Sequence, residues 1–401
     1  MAFTAAKKNF ETSKEIGRYI RKYWQDIYRA REEGKKICWV TGLAPMELLI
    51  AADIVPVLPE NYNAFCAAKQ MGPELCEEAE ARGYSMDVCS YGRLHLGTMF
   101  SGKGVYGALP EPDFLFCTRN VCGTHSKWWS AAAAHLGKPL FTLDVPQVGN
   151  RVEPHQAKYF VSQVKEFLKY CGSVTGREVT ENRLMEVLER SARFGDIWNE
   201  IKEYRKRVPC PISSSDIFGN MFLAVTMPGS QIAVDLIGKL RDEVAEKVKH
   251  NQGVIPHEKF RLMWDNIAIW YNLGLMNYLE DRGAVSTIET YTCFTGWGER
   301  LDLRKGPYDS LVHKYMSGYL NIDLAVKIDL MKKIVDDFKI NGVLLFSNRS
   351  CKSYSIGQYD IKAALEKKGV PSLIFEADMV DSRVYSEATI KNRLDTFLEI
   401  L

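Results

Sequence analysis

The chain has 401 residues, 46% of them hydrophobic and 25% charged, with a formal net charge of +2. That length allows two or three domains with cores of their own, and so even a balance of charge gives no electrostatic reason to expect nucleic acid or an anionic membrane as partner. The longest apolar runs, Leu48–Ala52 and Ile54–Leu58, are broken by Asp53 and Pro56 and are too short to span a bilayer, and lysines and glutamates stand where a signal peptide needs an apolar core, so a cytoplasmic protein is expected.

Residues 1–36 carry helical periodicity through Ile16, Tyr19, Ile20, Tyr23, Trp24, Ile27 and Tyr28, an amphipathic lead-in helix. From residue 37 the pattern alternates. Strands are expected at Ile37–Thr41, Ile54–Leu58, Asp113–Cys117 and Pro139–Val145. Helices are expected at Met46–Ala52, from Pro59 to Lys69, at Pro73–Arg82, at Cys89–Met99 and, after a polar turn holding Cys122, up to Gly137. Strand, turn and helix repeated in this way mark a mostly parallel sheet with helices on its faces. Between about 153 and 249 the pattern turns to long helices broken at Gly172, Pro209, Pro211 and Pro228. Alternation then returns, with strands expected at Ile267–Tyr271, Val285–Tyr291, Val343–Ser347 and Ser372–Ala377. The expected fold class is therefore α/β: two Rossmann-like (flavodoxin-like) parallel-sheet domains, 37–150 and 261–401, with a helical domain, 151–260, between them and a helical lead-in, 1–36.

Ten cysteines are many for a reducing compartment, where disulfides are rare, so each is either a metal ligand or a packed apolar thiol. Three share a setting. Cys122 and Cys351 lie in polar turns just after strands, and Cys89 begins a helix after a turn containing Gly83 and Asp87. Carboxyl ends of strands are where open α/β sheets hold ligands. If the two α/β units face each other, three thiolates converge on a site for a soft metal or an iron–sulfur cluster. Spacing alone leaves both readings open, since the three are spread over more than half the chain. Glu60, in the turn after a strand, is either a general acid/base or a solvated carboxylate. Arg93, Arg119 and Arg349 suit either an anionic substrate or salt bridges at the domain seam. The scattered histidines His95, His125 and His135 form no spaced ligand pair. No GxxxxGK[ST], GxSxG or HExxH is present, and no GxGxxG stands in a Rossmann context, which argues against P-loop ATP hydrolysis and takes most of the weight from the common hydrolase and dinucleotide chemistries.

Six stretches carry a resemblance: ICWVTGLAPMELL (37–49), VLPENYNA (57–64), GYSMDVCSYGRLHLG (83–97), PEPDFLFCTRNVCGTHSKWW (110–129), SNRSCKSYSIGQ (347–358) and EADMVDSRVYSEATIKNRL (376–394). Together they resemble, in order and over nearly the whole chain, the subunits of the 2-hydroxyacyl-CoA dehydratase and benzoyl-CoA reductase family. The resemblance implies one [4Fe-4S] cluster held by Cys89, Cys122 and Cys351, with its fourth iron left to water, a small sulfur ligand or the substrate's oxygen. It implies a homologous second subunit with its own cluster and a separate ATP-hydrolysing iron–sulfur activator. The activator's electron reduces an acyl-CoA thioester, which then loses a hydroxyl group or, with an aromatic acyl group, is dearomatised. Glu60 is implied to handle protons, and Arg349, Ser350 and Ser353 to hydrogen-bond the cluster sulfurs. Where dehydratase subunits commonly carry a serine after the first strand, this chain has Gly42, with Thr41 beside it as the substitute hydroxyl. EADMVDSR leans toward the reductase form and NRSCK toward the dehydratases. A double-cubane-cluster reductase of small molecules and a non-catalytic electron-relay subunit are the alternatives.

Overall fold

The computed structural model describes residues 3, 5–294, 296–297 and 299–401. Two four-stranded sheets, each wholly parallel, organise it. The first contains β1 (Ile37–Val40), β2 (Val55–Val57), β3 (Phe114–Thr118) and β4 (Leu140–Leu143) in the spatial order β2-β1-β3-β4. The second contains β5 (Phe260–Asp265), β6 (Ala284–Glu289), β7 (Gly342–Asn348) and β8 (Ser372–Ala377) in the order β6-β5-β7-β8. The two orders are the same when each is counted from its own first strand. In both, the chain leaves the first strand on one side and returns past it to the other, which opens a crevice at the carboxyl ends of the central strands.

Parallel strands covered on both faces read as continuous apolar runs, and these do. On one face of the first sheet Cys38, Val40, Phe114 and Phe116 share a core with the helix Pro154–Thr175, where Phe116 stacks on Phe167 at 3.8 Å. On the other face Trp39, Leu115 and Cys117 pack with Leu94 and Trp129. The long helices between the sheets, Pro154–Thr175, Glu181–Tyr204 and Gln231–Lys249, begin at residues that satisfy their free N–H groups. Glu153 forms a capping box with Gln156, and the hydroxyls of Thr180 and Ser230 accept from Arg183 N and Ala233 N. The first helix, Glu11–Glu32, is capped from outside: the Glu243 carboxylate accepts from the N–H groups of Glu11 and Thr12, both at 2.9 Å. Among the described residues no helix is long and apolar enough to cross a membrane.

One strand lies elsewhere than the sequence suggests. The apolar run Ile267–Tyr271 is not a strand; its last residues enter a short 3-10 turn, Trp270–Asn272. The strand is Phe260–Asp265, whose Arg261 and Asp265 disguise it. Both are buried and fully engaged. Arg261 donates to the carbonyls of Phe338, Arg207 and Arg205 and pairs with Glu258, and Asp265 accepts from Thr290 and Gln358.

Candidate active site

The carboxyl ends of both sheets open on one cavity of about 210 Å³. The turn after β1 brings Gly42 to it and leaves Thr41 out. The Thr41 hydroxyl lies 3.1 Å from that of Thr118 and accepts from the Thr118 N–H at 2.9 Å, so it ties β1 to β3 inside the sheet. Gly42 contributes its backbone instead. Its N–H donates to Glu60 Oε2 at 2.7 Å, and a Cβ at this position would stand 3.3 Å from both Glu60 Oε1 and the Trp297 ring.

Glu60 sits in the first turn of the helix Pro59–Ala68, which Pro59 starts and whose unpaired N–H end favours a carboxylate. Its second oxygen is 2.9 Å from His125 Nε2. Both side chains are nearly enclosed. Burial alone would lower the His125 pKa, but the negative charges of Cys122 and Glu60 outweigh it and push the imidazole up to about 9. No local pattern distinguishes His125 in the sequence. Its partner lies 65 positions away on another helix, so only the fold pairs them.

Cys89, Cys122 and Cys351 all line the cavity. They are the three cysteines with solvent-facing surface; the other seven are buried. Each caps a helix N-terminus: Ser90–Ser101, Gly123–Leu136 and the single turn Lys352–Ser355. The first two helices are long enough for their N-terminal partial charge to favour a thiolate. Neighbouring negative charge works against that. Burial, then the charges of Cys351 and Cys122, hold the Cys89 thiol well above its ordinary value. Burial, then Cys122, push Cys351 up to about 12, with the N–H groups of Tyr354 and Ser353 opposing. Two thiols held neutral by burial and by the negative charge beside them suit a positively charged group bound among the three. Among the described residues, no three His, Cys, Asp or Glu side chains are grouped to hold a single metal ion. A multi-iron cluster, in which each thiolate binds a different iron, asks for a wider triangle.

The polar neighbours mostly serve the frame. Ser350 Oγ accepts from the Ser90 N–H at 3.0 Å and donates to Asp378 Oδ2, so the turns bearing Cys89 and Cys351 are joined through one buried hydroxyl. Asp378 Oδ1 accepts from the N–H groups of Val380 and Asp381. Arg93 is buried against Asp381 and Glu80, Arg119 pairs with Asp144, and Arg349 with Glu376. Of the three residues expected near the sulfurs, Ser353 lines the cavity, whereas the Ser350 hydroxyl and the Arg349 guanidinium are engaged elsewhere.

Two facing parallel sheets whose loops gather three thiols and a carboxylate–imidazole pair define an α/β enzyme with its site on the seam. Residues 38–401 match the family model described as 2-hydroxyglutaryl-CoA dehydratase, D-component. The (R)-phenyllactyl-CoA dehydratase alpha subunit of Clostridium sporogenes is 32% identical over 377 residues, covering 93% of this chain and 91% of that one. The (R)-2-hydroxyisocaproyl-CoA dehydratase alpha subunit of Clostridioides difficile is 28% identical, covering 96% and 95%. The B subunit of benzoyl-CoA reductase from Thauera aromatica is also 28% identical, covering 99% and 97%. The chain belongs to this 2-hydroxyacyl-CoA dehydratase and benzoyl-CoA reductase family of enzymes.

Proposed function

We propose that the chain is the cluster-bearing subunit of a radical enzyme acting on an acyl-CoA thioester, with Cys89, Cys122 and Cys351 holding one [4Fe-4S] cluster. The observation that carries this is the sorting of ten cysteines into seven that are buried and three that line one cavity. When bound, the cluster supplies one electron at low potential to the thioester. The protein's own groups do the rest. Glu60, held by the Gly42 N–H and by His125, is placed to take or return a proton, and the apolar walls keep water from the charged intermediate. Thr41 acts through the frame, by holding β1 to β3.

The relatives are named as alpha or B subunits, which supports a homologous second subunit with a cluster of its own. The missing P-loop supports a separate ATP-dependent activator. The shared strand order supports two flavodoxin-like, Rossmann-type domains, 37–150 and 261–401, flanking a helical domain at 151–260. Relatives are named for dehydration and for ring reduction alike, and the same thioester reduction begins both.

Protein purified without oxygen and with iron supplied should be brown, carry about four irons per chain and absorb broadly near ~400 nm. Cys351→Ala should bleach it. A colourless wild-type protein under those conditions overturns the proposal.

A further inference from the structure

The walls of the cavity divide by chemistry. Glu60, His125 and the three cysteines stand at the sheet edges. Beside them, a run of rings crosses from the helical segment to the second sheet: Phe218 meets Trp270 at 6.1 Å, Trp270 meets Tyr291 at 6.4 Å, and Tyr291 meets Trp297 at 6.3 Å. Ala64 and Phe65, from the helix that carries Glu60, close another side. Among the described residues that line the cavity there is no lysine or arginine, and the one histidine is already paired with Glu60. Ala68 and Gly219, both exposed, place the mouth at the end of the helix Pro59–Ala68, where the exposed Lys69 follows outside the lining.

From this lining we infer that the acyl group taken by this site is uncharged and ring-bearing. The inference rests on the acyl-CoA reading above and narrows it. Rings set 6–7 Å apart and tilted edge to face offer a further ring the contacts it favours. An acyl chain ending in a carboxylate would give up its water here and gain no cation in return, and the Glu60 carboxylate would repel it. A short alkyl group would fit but leave much of the wall untouched.

The test is calorimetric titration of the full-length, anaerobically purified chain with three inert thioesters: phenylacetyl-CoA, butyryl-CoA and glutaryl-CoA. Phenylacetyl-CoA should bind at least about tenfold more tightly than butyryl-CoA, and more tightly still than glutaryl-CoA. Ala64→Phe, which fills the chamber, should remove the preference for the ring. Ala68→Arg, on an exposed helix end where folding is undisturbed, should tighten glutaryl-CoA binding and leave phenylacetyl-CoA nearly unchanged. Equal binding of the three esters, or tighter binding of glutaryl-CoA by the wild type, overturns the inference and leaves the acyl-CoA reading standing. Binding of none of them, by a chain that still carries its iron, overturns both.

Discussion

The two sheets share a strand order and put it to different uses. At the edge of the first sheet the polar groups are left available to the cavity: the Gly42 N–H and His125 hold Glu60 open to it, and Cys122 faces into it. At the edge of the second sheet the acids are consumed internally. Asp265 accepts from Thr290, Tyr319 and Gln358, and Glu289 is fully buried in a two-pronged pair with Arg205. What the second sheet gives the cavity is one thiol, Cys351, the nearby Ser353, and a set of rings and apolar side chains. A buried carboxylate therefore signals chemistry only when some of its hydrogen-bonding capacity still faces a space a substrate can enter.

The sharpest way to break this contrast is through sulfur. Replacing Cys89, Cys122 or Cys351 with alanine should abolish bound iron and colour, whereas Cys117→Ala, in buried β3, should keep both; iron analysis and the visible spectrum decide it. Next come the two kinds of acid. Glu60→Gln should lower turnover by ~10²–10⁴-fold while the protein still folds and binds iron. Glu289→Gln should do the opposite, because it strands the Arg205 charge inside the protein. It should destabilise the fold by about 3–5 kcal/mol in chemical denaturation, and turnover at low temperature should change far less. Ser350→Ala takes away the hydroxyl between the Ser90 turn and Asp378, with an expected cost of about 1–3 kcal/mol and faster loss of iron to a chelator.

The smallest effect lies away from the site. Burial, and then the negative charge of Asp216, push the Glu280 carboxyl up to about 7. The unfolded chain releases this proton near its ordinary pKa of about 4.3, so the folded chain holds a proton that the unfolded one lacks between those values. The stability this group contributes is complete below that window and lost as pH rises through it. Denaturation at pH 5.5 and 8 should show the decline in the wild type and a shallower one in Glu280→Gln.

Sequence periodicity located seven of the eight strands and most helices, because strands covered on both faces and helices with apolar stripes leave a local signature. It misplaced the fifth strand because Arg261 and Asp265, buried and paired, look like surface residues, while the apolar Ile267–Tyr271 covers the core and the cavity from a loop. The triad of cysteines came from matched motifs; position after a strand suggested them but did not single them out from the other thiols. Glu60 was visible as a turn carboxylate. Its partner His125, the retirement of Thr41 into the sheet and the ring wall from Phe218 to Trp297 depend on contacts between segments tens of residues apart, which no local pattern records.

The Ser90–Ser350–Asp378 junction bears on how a molecule reaches the seam. Swinging the two sheets apart at the cysteine turns would break the hydroxyl link and leave a buried carboxylate short of a donor. That edge therefore behaves as a clasp between the two sheets.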